Sequence, residues 1–389
     1  MLSFGYRCSE CGREYEISSD RLLCDDCTAK QRDDEPLRGI LQVKLTGSVN
    51  RGSGMTPAWS AYDLLPVERR WFPSIPVGNT PLWEPERLRE ELGMPKLYLK
   101  DDTANPTGSL KDRASYLVAA YARSEGIERI VVASTGNAGS SMAGVGAAAG
   151  LQVRLYLPAA APPAKMTQSL QYGADLVKVE GSYDEAFAQS LAYSKKHGGL
   201  SRNTGYNPLT IEGKKTVSLE IFRQLGEKVP DYLFVSAGDG VILSGVYKGF
   251  EDLVELGFAE RMPTICMVQA EGSQAISRAL ETGSFGPPRS AKTIADSISV
   301  DVPSAGYFAL GRMKRHGGRP VIVSDEEILA AQRRLASTTG LFAEPAAAAA
   351  AAGFFAIRGE LPEDATVVLL ITGSGLKDVD SAKKGVGLV

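Results

Sequence analysis

The chemistry of this chain centres on one lysine and two glycine-rich turns. Lys111 sits in the run Asn105-Pro-Thr-Gly-Ser-Leu-Lys-Asp-Arg113, just past a Pro/Gly turn where a helix should begin. That end of a helix disfavours a cation, so the lysine has a reason other than helix stability to be there. An amine held at such a turn is suited to form a Schiff base with a carbonyl. The second run, Ser134-Thr-Gly-Asn-Ala-Gly-Ser-Ser141, follows an apolar stretch and has the form of a strand-to-helix turn. Its backbone N–H groups and positive helix end suit an anion such as a carboxylate. A third run, Phe234-Val-Ser-Ala-Gly-Asp-Gly-Val-Ile-Leu-Ser-Gly245, repeats the design and suits a phosphate.

A separate chemistry lies at the N-terminus. Cys8-Ser-Glu-Cys11 and Cys24-Asp-Asp-Cys27 are two CxxC knuckles with 12 residues between them. Thiolates at this spacing close a tetrahedron around Zn²⁺, and so short a segment needs such a staple to fold. With four protein ligands no position stays open for catalysis, so the expected ion is structural. Cys266, in an apolar stretch, reads as a buried thiol without a chemical role.

The remaining composition limits the function classes. A chain of 389 residues, 43% hydrophobic and 23% charged, has the profile of a globular protein with room for more than one domain. A net charge of −3 offers no footprint for nucleic acid. No apolar run is long enough for a bilayer and no signal-peptide core stands at the start, so we expect a cytoplasmic protein. The alanine-rich stretch 346–352 reads as a buried helix. His197 and His316, each followed by Gly-Gly, read as solvated turns rather than acid–base groups.

Elements that would position the lysine and the turns follow from periodicity. Short apolar runs at 96–101, 130–133, 152–157, 174–179 and near Leu200 alternate with helical stretches, including 140–150, 164–173 and 183–197. A second set of strands is expected at 232–235, 264–270, 320–323 and 366–371. This βαβ rhythm predicts parallel sheets covered by helices. A helix over 325–339 carries Ser324 as N-cap, Glu327 three residues on as a capping box, and a stop at Gly340. The polar stretch 28–60 reads as an arm, with Trp59 and Trp71 pinning it. The organisation expected is a ribbon at 1–32, an arm at 33–75 and a catalytic body at 76–389, with a smaller lobe near 112–205.

The motifs Ser-Leu-Lys111-Asp-Arg, Ser-Thr-Gly-Asn137-Ala-Gly, Glu212-Gly-Lys-Lys-Thr and Thr372-Gly-Ser-Gly-Leu-Lys-Asp, in this order, resemble threonine synthase. That family belongs to the pyridoxal 5'-phosphate (PLP) enzymes of tryptophan-synthase β type, fold type II. The resemblance spans roughly 75–380, and Pro76-Val-Gly-Asn-Thr-Pro-Leu82 shares it. It implies a two-lobed α/β fold with the cofactor in the cleft between lobes, Lys111 as the Schiff-base lysine and proton shuttle, and a homodimer. It further implies that Asn137 faces the cofactor ring and that Ser134, Thr135, Gly136 and Ala138 receive the substrate carboxylate. Gly238, Asp239, Gly240, Val241 and Ile242 would cradle the cofactor phosphate, and Thr372 would face the pyridine nitrogen. The implied reaction is lyase chemistry on a phosphorylated amino acid, O-phospho-L-homoserine, giving L-threonine and phosphate. Lys165, Arg113, Lys214 and Lys215 are candidate partners for the substrate phosphate. The Glu212–Thr216 segment reads either as a charged cover for the substrate or as a solvated helix start.

Two departures keep alternatives open. The cradle carries Asp239 and Val241 where the family has more glycine, and Thr293–Pro303 looks more like the dehydratase branch of the fold. A serine/threonine ammonia-lyase, or a β-replacing enzyme such as a cysteate synthase using O-phosphoserine, fits these features. A zinc-ribbon binding module on a degenerate body is the reading from another class.

Overall fold

The computed structural model describes residues 2–49, 59–161 and 163–388, and within them leaves out the side chains of 163–165. Lys165 as a phosphate partner therefore lies outside the described side chains.

Strands β1 (Leu2–Cys8), β2 (Glu14–Tyr15) and β3 (Leu41–Gly47) form an antiparallel sheet in the order β2-β1-β3. Strand β3 lies inside the stretch expected to be an arm, and it pairs along all of β1, from Leu2↔Gly47 to Cys8↔Leu41. Leu41, Val43 and Leu45 are buried while Gln42, Lys44 and Thr46 are not, the period of two of a half-buried strand. Residues 62–72 are held through Phe72, whose ring meets Tyr62 and Tyr116, and through Arg123, which donates to the Trp71 carbonyl at 2.8 Å. Trp59 is buried, as expected of a pin.

Strands β4 (Leu82–Trp83) and β5 (Leu97–Asp101) come next, followed by β6 (Arg129–Ala133), β7 (Gln152–Pro158), β8 (Asp175–Val179) and β9 (Leu200–Ser201). The last four make an all-parallel sheet, β8-β7-β6-β9. Strands β10 (Tyr232–Ser236), β11 (Thr264–Ala270), β12 (Arg319–Val323) and β13 (Val367–Ile371) join β5 and β4 in a sheet of order β12-β11-β10-β13-β5-β4. Only β4 runs antiparallel there. The run Val-Val-Leu-Leu-Ile of β13 is buried throughout, as both faces of a parallel sheet must be.

The chain forms two compact units, each assembled from separated segments. One comprises 1–30, 38–78 and 111–216, and contains the N-terminal sheet and the β6–β9 sheet. The other comprises 31–37, 79–110 and 217–389, and contains the six-stranded sheet. Its core includes the Pro345–Ile357 helix, in which Ala346 to Ala352 are all buried among Phe234, Val268 and Leu369. Alanine lets that helix lie close to the sheet: a Cβ at Gly353 would stand 2.4 Å from Val268. The Asp325–Thr339 helix has the expected capping box at Ser324 and Glu327 and ends at left-handed Gly340.

Candidate active site

Lys111 is half-buried and is the first residue of the Lys111–Ser124 helix. The segment before it is laid along the turn after β13. Ser109 bridges to Gly373, the Leu110 N–H donates to the Thr372 carbonyl at 2.8 Å, and the Ser374 N–H donates to Gly108 at 2.9 Å. Lys377 donates to the Thr107 carbonyl at 2.9 Å, and Gly108 takes φ +82°, a conformation open to glycine at little cost. The covalent neighbour of Lys111 is thus pinned to Thr372, a residue singled out independently. Thr372 itself is buried, and Gly373 leaves room for the Glu344 carboxylate, which a Cβ would meet at 2.5 Å. Below, β5 delivers the chain: buried Lys100 donates to Glu220 and to the Thr80 carbonyl, both at 2.7 Å.

The start of the lysine helix is also clamped by the Leu209–Lys214 helix. Gly213 lies on the backbone of Arg113 and Ala114, and Arg113 donates to Thr216 Oγ1 at 3.0 Å. Glu212, Lys214 and Lys215 are all buried. Lys215 is ion-paired with Glu212 and donates to the Leu64 carbonyl at 2.6 Å, while Lys214 donates to Thr210 at 3.0 Å. The expectation of a solvated helix start is therefore corrected: these charges are interior, and a buried charge must be paired. Sequence reasoning did not single out Ser115 and Arg202, nor their link to Ser141, the last residue of the second glycine-rich run. Ser141 donates to Ser115 at 2.7 Å, and buried Arg202 donates to Ser115 at 3.3 Å. No spacing marks them, because they meet only after folding.

The carboxylate candidates form the turn out of β6. Asn203 holds the Ala133 N–H at 2.7 Å, and the Ser134 N–H donates to Tyr156. The Asn137–Ala149 helix then begins, with Gly136 as N-cap accepting from Gly139 and Ser140. The N–H groups of Asn137 and Ala138 head that helix, which has no carbonyl of its own to receive them. Ser134 and Asn137 are buried, Thr135 and Ala138 half-buried, and Gly136 exposed. The Gly136 N–H donates to Ser134 Oγ at 3.2 Å. Gly139 allows close packing, since a Cβ would stand 3.0 Å from both Leu155 and the Ser134 carbonyl.

The phosphate candidates form the turn out of β10. Gly240 takes φ +80° as N-cap of the Val241–Glu255 helix, which opens with the N–H groups of Val241, Ile242 and Leu243. Asp239 has a structural account: its carboxylate accepts from the Val241 N–H at 2.9 Å, and its carbonyl accepts from Ala305 at 2.8 Å. The acid thus occupies one of the donors expected to face a phosphate. The divergent 293–303 segment rests on this turn, with Ile298 Cα only 2.6 Å from where a Gly238 Cβ would be. Ser273 Oγ donates to the Ile298 carbonyl at 2.9 Å, and the Asp325 carboxylate accepts from Thr293 and Ile294.

The two histidines differ. His197 is exposed, as expected. His316 is not a solvated turn: its ring stacks on Tyr247 and hydrogen-bonds Glu251 at 2.8 Å. Cys266 is fully buried, and burial pushes its thiol up to about 12.

The sulfurs of Cys8, Cys11, Cys24 and Cys27 all lie within 4.8 Å of one another. Cys8–Cys27 and Cys11–Cys24 are 3.7 and 3.6 Å apart. A tetrahedral site with Zn–S near 2.3 Å sets its sulfurs roughly 3.8 Å apart, so the cluster has the size of a zinc site. The Tyr15 hydroxyl donates to Cys24 Sγ at 3.1 Å and the Glu10 N–H to Cys8 Sγ at 3.4 Å, bonds that favour thiolates. Gly39, at φ +71°, lets the second knuckle close, because a Cβ there would meet the Cys24 carbonyl at 2.9 Å.

Comparison with known proteins agrees with this geometry. A family profile described as pyridoxal-phosphate dependent enzyme matches residues 74–373. The threonine synthase of Methanosarcina acetivorans is 35% identical over 385 residues, covering 96% of this chain and 92% of that protein. That of Methanocaldococcus jannaschii is 33% identical, covering 97% and 93%. In fold, the chain is similar to a threonine deaminase from Solanum lycopersicum, with TM-score 0.68, 23% identity, and coverage of 80% of this chain and 88% of that one. The likeness to maize serine racemase is comparable, with TM-score 0.69, 19% identity, and coverage of 80% and 92%. With the match running through both Lys111 and Thr372, the chain belongs to the pyridoxal-phosphate dependent enzymes, in their threonine synthase family.

Proposed function

We propose that the protein is a PLP-dependent threonine synthase, converting O-phospho-L-homoserine and water to L-threonine and phosphate. The observation that carries this reading is the similarity to threonine synthases along nearly the whole chain, at 35% and 33% identity. The deaminase and racemase neighbours, at 23% and 19% identity, support the fold alone. The ammonia-lyase and cysteate synthase readings gain nothing specific from them.

The residues present fit the cofactor. A half-buried lysine stands at a helix start, a buried hydroxyl lies on the turn beside its neighbour Leu110, and a left-handed glycine opens a helix whose first N–H groups suit a phosphate. When bound, PLP supplies the electron sink that lets protons leave Cα and Cβ. Lys111 Nζ would hold the cofactor carbonyl and, once released, move the protons: it would take those at Cα and Cβ, and phosphate departs as the Cγ–O bond breaks. Water adds its hydroxyl at Cβ, and protons return to Cγ and Cα. Asn137 would orient the ring, and the N–H groups of Thr135 and Ala138 would bind the substrate carboxylate, a charge they meet at a positive helix end, while Ser134 Oγ holds the Gly136 N–H. Gly240 and Ile242 would bind the cofactor phosphate, while Asp239 keeps the Val241 donor for itself. Thr372 would present a neutral hydroxyl to the ring nitrogen, which would favour elimination over transamination.

The four N-terminal thiolates bind a structural zinc ion, and the protein works in the cytoplasm as a homodimer. The test of the reaction is incubation of PLP-loaded protein with O-phospho-L-homoserine. Equal amounts of phosphate and threonine support the reading. A bound cofactor with neither product, but 2-oxo acid from threonine, overturns it in favour of an ammonia-lyase.

A further inference from the structure

A cavity of about 250 Å³ lies within the unit that holds the six-stranded sheet, lined by residues other than Thr372 and the Gly238–Ile242 turn. It is smaller than the ~300–1,000 Å³ of sites that enclose drug-sized ligands. One wall is apolar and close-packed. Phe285, Pro36 and Pro303 converge on Gly306, where a Cβ would stand 2.7, 2.8 and 3.0 Å from their rings. That wall is braced, because Phe285 meets Tyr307 edge-on at 5.3 Å and the Tyr307 hydroxyl donates to Glu35 at 2.6 Å.

The remaining lining is charged with both signs. Arg278, on the Ala275–Thr282 helix, and Arg289, on the loop beyond it, supply two cations; Asp34 and Asp301 supply two carboxylates. Among the described residues the half-buried Arg278 guanidinium has no ion pair or hydrogen bond of its own. Its surroundings disfavour its charge, first through desolvation and then through Arg289. A guanidinium left in this condition is stabilised by an arriving carboxylate, which it binds through two parallel N–H bonds. Asp301 already accepts from the Ala291 N–H at 2.6 Å through one oxygen, and Asp34 adds a second acid on the strap Gln31–Leu37.

We propose that this cavity binds a free α-amino acid as its zwitterion. The carboxylate sits on Arg278 and Arg289, the ammonium faces Asp34 and Asp301, and a small side chain lies against Phe285 and Pro36. Two cations alone would suit any anion. The two acids beside them select a ligand that carries both charges and disfavour a bare phosphate.

The test is hydrogen–deuterium exchange of the full, PLP- and zinc-loaded protein with L-threonine, L-isoleucine or L-methionine, and with inorganic phosphate or acetate as single-charge probes. The expected result is slowed exchange in peptides covering 31–37 and 275–289 with at least one amino acid and with neither phosphate nor acetate. Peptides covering 111–124 and 134–149 report occupancy of the catalytic site separately. Arg278→Gln and, on the exposed loop, Arg289→Gln should abolish the protection while leaving the melting temperature unchanged. Protection by acetate or phosphate equal to that by an amino acid overturns the zwitterion site, as does an absence of protection by all three amino acids or its survival in both variants.

Discussion

Replacing Gly213 with alanine tests whether the Leu209–Lys214 helix holds the catalytic lysine in place. The added Cβ would stand 2.4 Å from the Arg113 carbonyl oxygen and 2.8 Å from Ala114 Cα. Both are backbone atoms of the helix that begins at Lys111, so neither can swing aside. Restoring a separation near 3.5 Å requires the helices to part by about 1 Å. Overpacking of this kind costs about 1–3 kcal/mol, and the better helix propensity of alanine returns at most about 1 kcal/mol. With backbone on both sides of the clash, the net loss should be about 2 kcal/mol. A shift of about 1 Å in a catalytic group lowers the rate by on the order of 10²-fold. The assay is phosphate release from O-phospho-L-homoserine alongside denaturant unfolding. Gly311→Ala is the control: its Cβ would meet nothing within 4 Å, so it should gain up to about 1 kcal/mol and keep its activity. Wild-type stability and turnover in Gly213→Ala would refute the argument that this crossing sets the position of Lys111.

Lys111→Ala should lower turnover by at least about 10²–10⁴-fold while leaving the melting temperature nearly unchanged, since the cation sits at the disfavoured helix end; a fully active variant would remove Lys111 from the chemistry. Lys215→Ala leaves Glu212 buried without its cation and should cost about 3–5 kcal/mol, and adding Glu212→Gln should recover part of it in denaturant titrations. In native, zinc-loaded protein a thiol reagent should label none of the five cysteines quickly. A chelator should expose Cys8, Cys11, Cys24 and Cys27, with one zinc released per chain, and leave Cys266 unreactive until the fold is opened. Rapid labelling of all four ribbon cysteines before chelation would count against bound metal.

The parts of the fold legible in the sequence were those fixed by local rules. Ser324 with Glu327 named a helix start, Gly340 named its end, and the apolar run 264–270 matched its strand residue for residue. Strand β3 was legible too, because Leu41, Val43 and Leu45 alternate with Gln42, Lys44 and Thr46; the polar surroundings of 28–60 hid that signal. The interior charges were not legible. Lys100 meets Glu220 across 120 residues, and the segment Glu212–Thr216 looks hydrophilic until the Leu64 carbonyl and the Arg113 helix close around it. At the candidate site, motif spacing named Lys111 and Thr372 separately. Only the pairing of Ser109 with Gly373 and of Leu110 with Thr372 showed why both turns are needed.

The interleaved make-up of the two units bears on how the chain is synthesised. The unit holding the β6–β9 sheet has all its segments once residue 216 has emerged, so it can fold while the ribosome still works on the remainder. The other unit must wait. Strand β5 is made early, yet its parallel neighbour β13 arrives almost at the end, with Leu97 pairing to Val367. Until then the edge of β5 opposite β4 stays unpaired, and closing so long a loop makes this the slow step of folding. A chain that stops short of β13 therefore carries a completed N-terminal unit and a β4–β5 pair with one edge open, the form in which nascent chains of this protein would call on a chaperone.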